Sequence, residues 1–202
     1  MSLSQLRDIL RDMENFHVQF TAITAQRTGG GTAKMYAATA EAISNAENKA
    51  SCSVILKDFR EKMRARVPAK EEFVANFRAV EYLSTSTKQK SLVQYLLRRF
   101  DAHWRGTPVD YGQMTIEHIA AEKPAGAAQG AASGRLGNLV LLPHNLNVQL
   151  GNKSFSHKLP AFKKAGIPLD THLSSAQSWG EKEIIARTDY LAELGYETVF
   201  RV

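Results

Sequence analysis

Strand-length apolar runs are scarce in this sequence, and that scarcity limits what it can fold into. Apolar residues recur at helical spacing almost everywhere, and only two short stretches read as strands. One is Gln113-Met114-Thr115-Ile116, leading into Glu117-His118; the other is Asn138-Leu139-Val140-Leu141-Leu142, stopped by Pro143. Two such strands cannot stand alone and need helices to cover them. The expected class is therefore α+β and mostly α-helical. A helical domain over 1–105 precedes a small strand–loop–strand–helix core over 106–165, and a C-terminal helix in 166–202 packs back on that core.

Within the first 105 residues, Leu3, Leu6, Ile9, Leu10, Met13 and Phe16 mark one buried helical stripe. Gly29, Gly30 and Gly31 interrupt it, because glycine costs a helix about 1 kcal/mol relative to alanine. An Ala-rich helix is expected from Thr32 towards Asn48. The run Cys52, Val54, Ile55, Leu56 and Phe59 comes next, then a basic stretch from Lys62 to Arg66. Pro68 suits the first turn of a helix carrying Phe73, Val74, Phe77, Val80 and Tyr82, with Glu71 and Glu72 at its positive end. A further helix holds Leu92, Val93, Leu96, Leu97 and Phe100. Near the C-terminus, Ser178 and Glu181 have capping-box spacing ahead of Ile184, Ile185, Leu191 and Leu194.

Composition narrows the function classes. The 202 residues hold 26 Lys and Arg against 20 Asp and Glu, a formal charge of +6, which leans towards polyanionic partners. A single cysteine excludes an internal disulfide framework and a Cys-rich zinc site. No apolar run approaches the roughly 20 residues of a membrane span. Arg7 and Asp8 stand where a signal peptide would need its apolar stretch. A reducing, cytoplasmic setting is the expectation. The glycines at 29–31 with Lys34 lack phosphate-loop spacing and follow no strand, and the basic runs at 57–66 and 98–105 read as solvated faces.

The chemistry concentrates between 117 and 158. His118 is of a type that takes a proton from water near neutral pH. Glu117 and the amides of Asn138, Asn145, Asn147 and Asn152 are hard oxygen donors suited to a divalent ion that keeps several waters. Lys153, Lys158, Lys163 and Lys164 follow and can meet phosphate oxygens. Base, ligands and phosphate contacts together suggest metal-assisted phosphodiester hydrolysis. Asn152, after Gly151, reads as a turn residue, and His144 and His157 read as exposed helix histidines. Neighbours on a regular strand face opposite ways, so joint action of Glu117 and His118 predicts irregular backbone over 117–120.

Three stretches carry a family resemblance: Thr115-Ile116-Glu117-His118-Ile119, Gly137-Asn138-Leu139-Val140-Leu141-Leu142, and Leu146-Asn147 through Gly151-Asn152-Lys153-Ser154-Phe155 to Lys158. Over roughly 110–195 the sequence resembles the C-terminal nuclease domain of GmrSD-type, modification-dependent restriction enzymes. That domain is a branch of the HNH, or His-Me finger, endonucleases with a ββα-metal core. Trp179, Ile184, Arg187 and Leu191 resemble the family's closing helix. The chain departs from the family after the histidine: Ala120-Ala121-Glu122-Lys123-Pro124 replaces the usual early proline and glutamine.

The resemblance implies His118 as general base, with Glu117 and Asn147 holding a magnesium ion, or manganese in its place. Asn138 and Asn147 compete for one functional slot, Asn138 matching the asparagine that braces the loop between the strands. The implied activity is DNA endonuclease or nickase, leaving 5′-phosphate and 3′-hydroxyl ends, in restriction of foreign, modified phage DNA. Family members often carry an N-terminal nucleotide-using, DNA-sensing domain that this sequence lacks, so a free-standing nuclease or an excised C-terminal piece is expected. Two alternatives remain at this stage: a non-catalytic nucleic-acid-binding or assembly module of the same shape, and a toxin-like nuclease acting on RNA.

Overall fold

A computed structural model of the protein describes residues 1–27, 29–107, 109–122, 130 and 132–202. It is mostly helical with a single two-stranded sheet among the described residues, the class expected from the sequence. The chain forms two compact units, Met1–Asn76 with Tyr196–Val202, and Phe77–Gly195. The division falls inside a helix, at 76/77.

The first unit is built from α1 (Leu3–His17), α2 (Gly30–Ser44), α3 (Lys49–Arg64) and the start of α4 (Lys70–Arg78). Ser2 and Gln5 cap α1 reciprocally: the Ser2 amide donates to Gln5 Oε1 at 2.8 Å, and the Gln5 amide donates to Ser2 Oγ at 3.2 Å. Ile9, Phe16, Met35, Leu56, Phe59 and Met63 form the core, with Met13 packed against it. Leu3, Leu6 and Leu10 are exposed, contrary to expectation. The six apolar residues of α1 form two adjacent stripes, and only Ile9, Met13 and Phe16 face inward. Val54 is exposed as well. Two of the three glycines lie in the first turn of α2, so the break in helix is shorter than the composition suggests.

In the second unit, α5 (Lys90–Arg105) stops at Gly106, whose φ of +72° suits the residue after a helix C-terminus. Antiparallel β1 (Met114–His118) and β2 (Leu139–Pro143) follow, in a register that sets Glu117 opposite Val140 and His118 opposite Leu139. Then come α6 (His144–Leu150), α7 (Phe155–Lys164), α8 (Thr171–Ser174) and α9 (Glu181–Leu194). Leu139–Leu142 are all buried, and Val140 and Leu142 join Ile119, Leu150, Phe162, Ile167 and Leu173 in the core.

The closing helix α9 is fastened to the turn entering β2. A Cβ on Gly137 would overlap the Ile184 carbonyl and the Thr188 hydroxyl, so only glycine permits this approach. Fully buried Arg187 donates to Asp170 Oδ2 at 2.7 Å and to the carbonyls of Gly137 and Leu139 at 2.8 and 3.0 Å. The N-cap of α9 is Gly180 and not Ser178: the Gly180 amide donates to Glu183 Oε2 at 2.9 Å. Helix α4 also ends earlier than expected, at Arg78, which leaves Tyr82 outside it. Part of the Ala- and Gly-rich loop expected over 120–134 lies outside the described residues.

Candidate functional site

Among the described residues the sheet has only two strands, so β1 has an edge that no described strand pairs. Odd-numbered residues face the partner: the Gln113 carbonyl accepts from the His144 amide, and the Ile119 amide donates to the Asn138 carbonyl at 2.8 Å. The carbonyls of Ile116 and His118 therefore lie on the open edge, and two helices supply donors for them. Asn147 Nδ2, from α6, donates to the Ile116 carbonyl at 3.0 Å and to Thr115 Oγ1 at 2.8 Å. Lys158 Nζ, from α7, donates to the His118 carbonyl at 2.6 Å. Asn147 Nδ2 is thereby pinned, and its Oδ1 accepts no hydrogen bond among the described residues.

Glu117 is buried, and its Oε1 lies 2.5 Å from Lys158 Nζ. The pair is a buried, charge-assisted contact between ammonium and carboxylate. Burial pushes the Glu117 carboxyl above its ordinary range, and Lys158 and His118 oppose that shift only in part. On the same face of β1, two residues back, lies Thr115, the Asn147 partner.

His118 projects to the other face. Its Nε2 lies 3.0 Å from the Tyr82 carbonyl, and its ring stacks on that of Tyr82 at 5.9 Å. A carbonyl only accepts, so Nε2 carries the proton and Nδ1 keeps the lone pair. The Glu122 carboxylate lies 4.0 Å from Nε2, oriented by hydrogen bonds from the Ser84 amide and hydroxyl. The Tyr82 amide in turn donates to the Gly134 carbonyl at 2.9 Å, which fixes the segment presenting the accepting oxygen. The His118 side chain is 12% exposed.

The backbone expectation holds in part. β1 stays regular through His118, and bends begin only at Ile119 and Ala120. Glu117 and His118 thus point to opposite faces at the end of one strand. Asn138 is completely buried with every amide position engaged: Nδ2 donates to Ala120 and Ser133 carbonyls at 2.9 and 2.8 Å, and Oδ1 accepts from the Ala120 amide and Trp179 Nε1 at 2.8 and 3.1 Å. It braces the bend after His118 and has no valence left for water or an ion. Asn147, by contrast, keeps its Oδ1 as an acceptor that no described residue uses.

Lys158 is also placed differently from the sequence expectation. It is 1% exposed and bound to Glu117 and His118, so it is not a surface contact for phosphate. Lys153, Lys163 and Lys164 are exposed as expected, and Lys163 Nζ reaches the Ser174 carbonyl at 3.2 Å. Sequence reasoning passed over Tyr82 as a site residue, because its contribution is a backbone oxygen that no side-chain pattern reveals. Thr115 and Glu122 were missed too. A cleft of about 750 Å³ in the first unit, lined by Gln19, Arg64 and Arg201 among others, contains none of the predicted site residues.

The donor set was tested for a divalent ion. Among the described residues there is no cluster of three His, Cys, Asp or Glu side chains, which argues against a closed, fully protein-ligated metal site. Magnesium needs less: one carboxylate, an amide oxygen, waters and substrate phosphate suffice. Glu117, with a buried carboxylate whose Oε1 already faces a cation, and Asn147, with its unengaged Oδ1, fit that requirement.

The family model described as "GmrSD restriction endonucleases, C-terminal domain" matches residues 67–194. No curated protein matches the chain. No helix among the described residues is long and apolar enough to cross a membrane.

Proposed function

The chain belongs to the family of GmrSD restriction endonuclease C-terminal domains, and from that premise we propose that it is a magnesium-dependent DNA endonuclease or nickase of the HNH type. The observation that carries this reading is the Tyr82 carbonyl on His118 Nε2, which leaves Nδ1 as the basic nitrogen beside a carboxylate-bearing strand end. In this reading His118 Nδ1 removes a proton from a water aligned opposite the leaving 3′ oxygen, while the Tyr82 oxygen holds the ring as it becomes charged. Glu117 and Asn147 hold the ion. When bound, the ion supplies positive charge to the scissile phosphate and the leaving oxygen. Lys153, Lys163 and Lys164 contact the backbone phosphates without reading bases, and Asn138 keeps the bend after His118 in place. The products carry 5′-phosphate and 3′-hydroxyl ends, and the target is foreign, modified phage DNA in the cytoplasm.

The test is cleavage of matched DNA and RNA substrates in magnesium and in chelator, comparing wild type with Glu117→Gln and mapping the ends. Magnesium-dependent cleavage of DNA, lost in the variant, supports the proposal. Binding without cleavage, or cleavage of RNA alone, overturns it in favour of a binding module or an RNA-directed nuclease.

A further inference from the structure

Lys158 differs from the lysines around it. Lys153, Lys163 and Lys164 are exposed on the same stretch of chain, yet Lys158 is 1% exposed and its ammonium is turned inward against β1. Burying an ammonium beside a carboxylate is costly for both, and it persists only where each offsets the charge of the other. The partner is the one carboxylate of the candidate ion site.

We propose that Lys158 is a built-in counter-cation for Glu117 that a divalent ion must displace, so that the ion pair and the ion-bound site are alternative states of one carboxylate. This rests on the reading of Glu117 and Asn147 as ion ligands. Three observations support it. The Lys158 ammonium lies 2.5 Å from Glu117 Oε1, in the space a cation bound to that oxygen would need. The Lys158 ammonium is the cation that answers the charge of Oε1, and a second cation at that oxygen can take over the same role. The other bond of the ammonium, 2.6 Å, ends on the His118 carbonyl, on the edge of β1 that no described strand pairs, and a water can satisfy that oxygen once the ammonium has left.

A divalent ion brings twice the charge to the same oxygen and finds Asn147 already pinned through Nδ2. The lysine thus keeps the carboxylate ordered before the ion arrives, at the expense of affinity. Displacement also moves the ammonium out of the interior, where it can become the phosphate contact that its sequence position suggests.

The test uses the whole chain and manganese alone as probe. Calorimetric titration compares wild type, Lys158→Met and Glu117→Gln, with circular dichroism to confirm folding. In parallel, an amine-acylating reagent reads the reactivity of Lys158 in wild type by mass spectrometry, with and without manganese. The expected results are binding about tenfold tighter or more in Lys158→Met, binding abolished in Glu117→Gln, and faster acylation of Lys158 when manganese is present. Equal or weaker Glu117-dependent binding in Lys158→Met, or Lys158 equally protected with and without manganese, overturns the displacement while leaving the ion site standing. Absence of Glu117-dependent binding in both wild type and Lys158→Met removes the ion site itself, and the displacement with it. If Lys158→Met does not fold, the acylation of wild type decides alone.

Discussion

The Nε2 of His118 lies 3.0 Å from the carbonyl oxygen of Tyr82, a residue 36 positions earlier in the chain. This contact fixes which nitrogen of the imidazole can accept a proton. Neutral His118 should be the Nε2–H tautomer, and the nitrogen chemical shifts of labelled histidine report this directly. A spectrum dominated by the Nδ1–H form would contradict the assignment of the base.

Asn138→Ala should unfold the second unit more readily without touching an ion ligand. The change strands the Ala120 amide and carbonyl, the Ser133 carbonyl and Trp179 Nε1. Leaving buried groups of this kind unpaired costs about 3 kcal/mol in total. Denaturant titration should show that loss, with manganese affinity of the folded fraction unchanged.

The attachment of α9 gives a second stability prediction. Arg187→Met leaves Asp170 as a buried, unpaired carboxylate, although Asp170 Oδ1 still caps α8 through the Leu173 amide at 3.1 Å. The loss should be about 3–5 kcal/mol. Gly137→Ala should be at least as damaging, because the added methyl meets helix backbone at Ile184 and Thr188 together with the Thr188 hydroxyl, which its own hydrogen bonds hold in place. Thermal unfolding checks both.

Glu117 gives stability a pH dependence of defined sign. Burial raises its carboxyl above the ordinary 4.5, so the native state holds that proton more tightly than the unfolded chain does. Stability should therefore fall as pH rises from the unfolded value through the higher native one. In chelator, wild type should lose stability over that window relative to Glu117→Gln. A flat difference between the two proteins across acid pH would count against a buried, strained carboxylate.

The sequence was most legible where chemistry and periodicity coincide. Met114–His118 and Leu139–Pro143 became strands because their apolar runs are short and end in turn-forming residues. Helical spacing located α5 and α9 but did not say which side of α1 would be covered, since Leu3 and Leu10 fit a helical stripe as well as Ile9 does. Ser178 lost the cap of α9 to Gly180 through one hydrogen bond that the Gly180 amide donates to Glu183, a competition that spacing alone does not decide. At the site, His118, Glu117 and Asn147 were identifiable from their neighbours in sequence. The inward turn of Lys158, the saturation of Asn138 and the part played by Tyr82 were not, because each depends on a contact with sequence-distant backbone or with a buried charge.

The most direct test of the central claim is nicking of supercoiled DNA in magnesium by wild type and by His118→Ala at matched protein and salt concentration. The variant should bind DNA as before and nick it about 10²–10⁴-fold more slowly. Equal nicking by the two proteins would show that His118 is not the base.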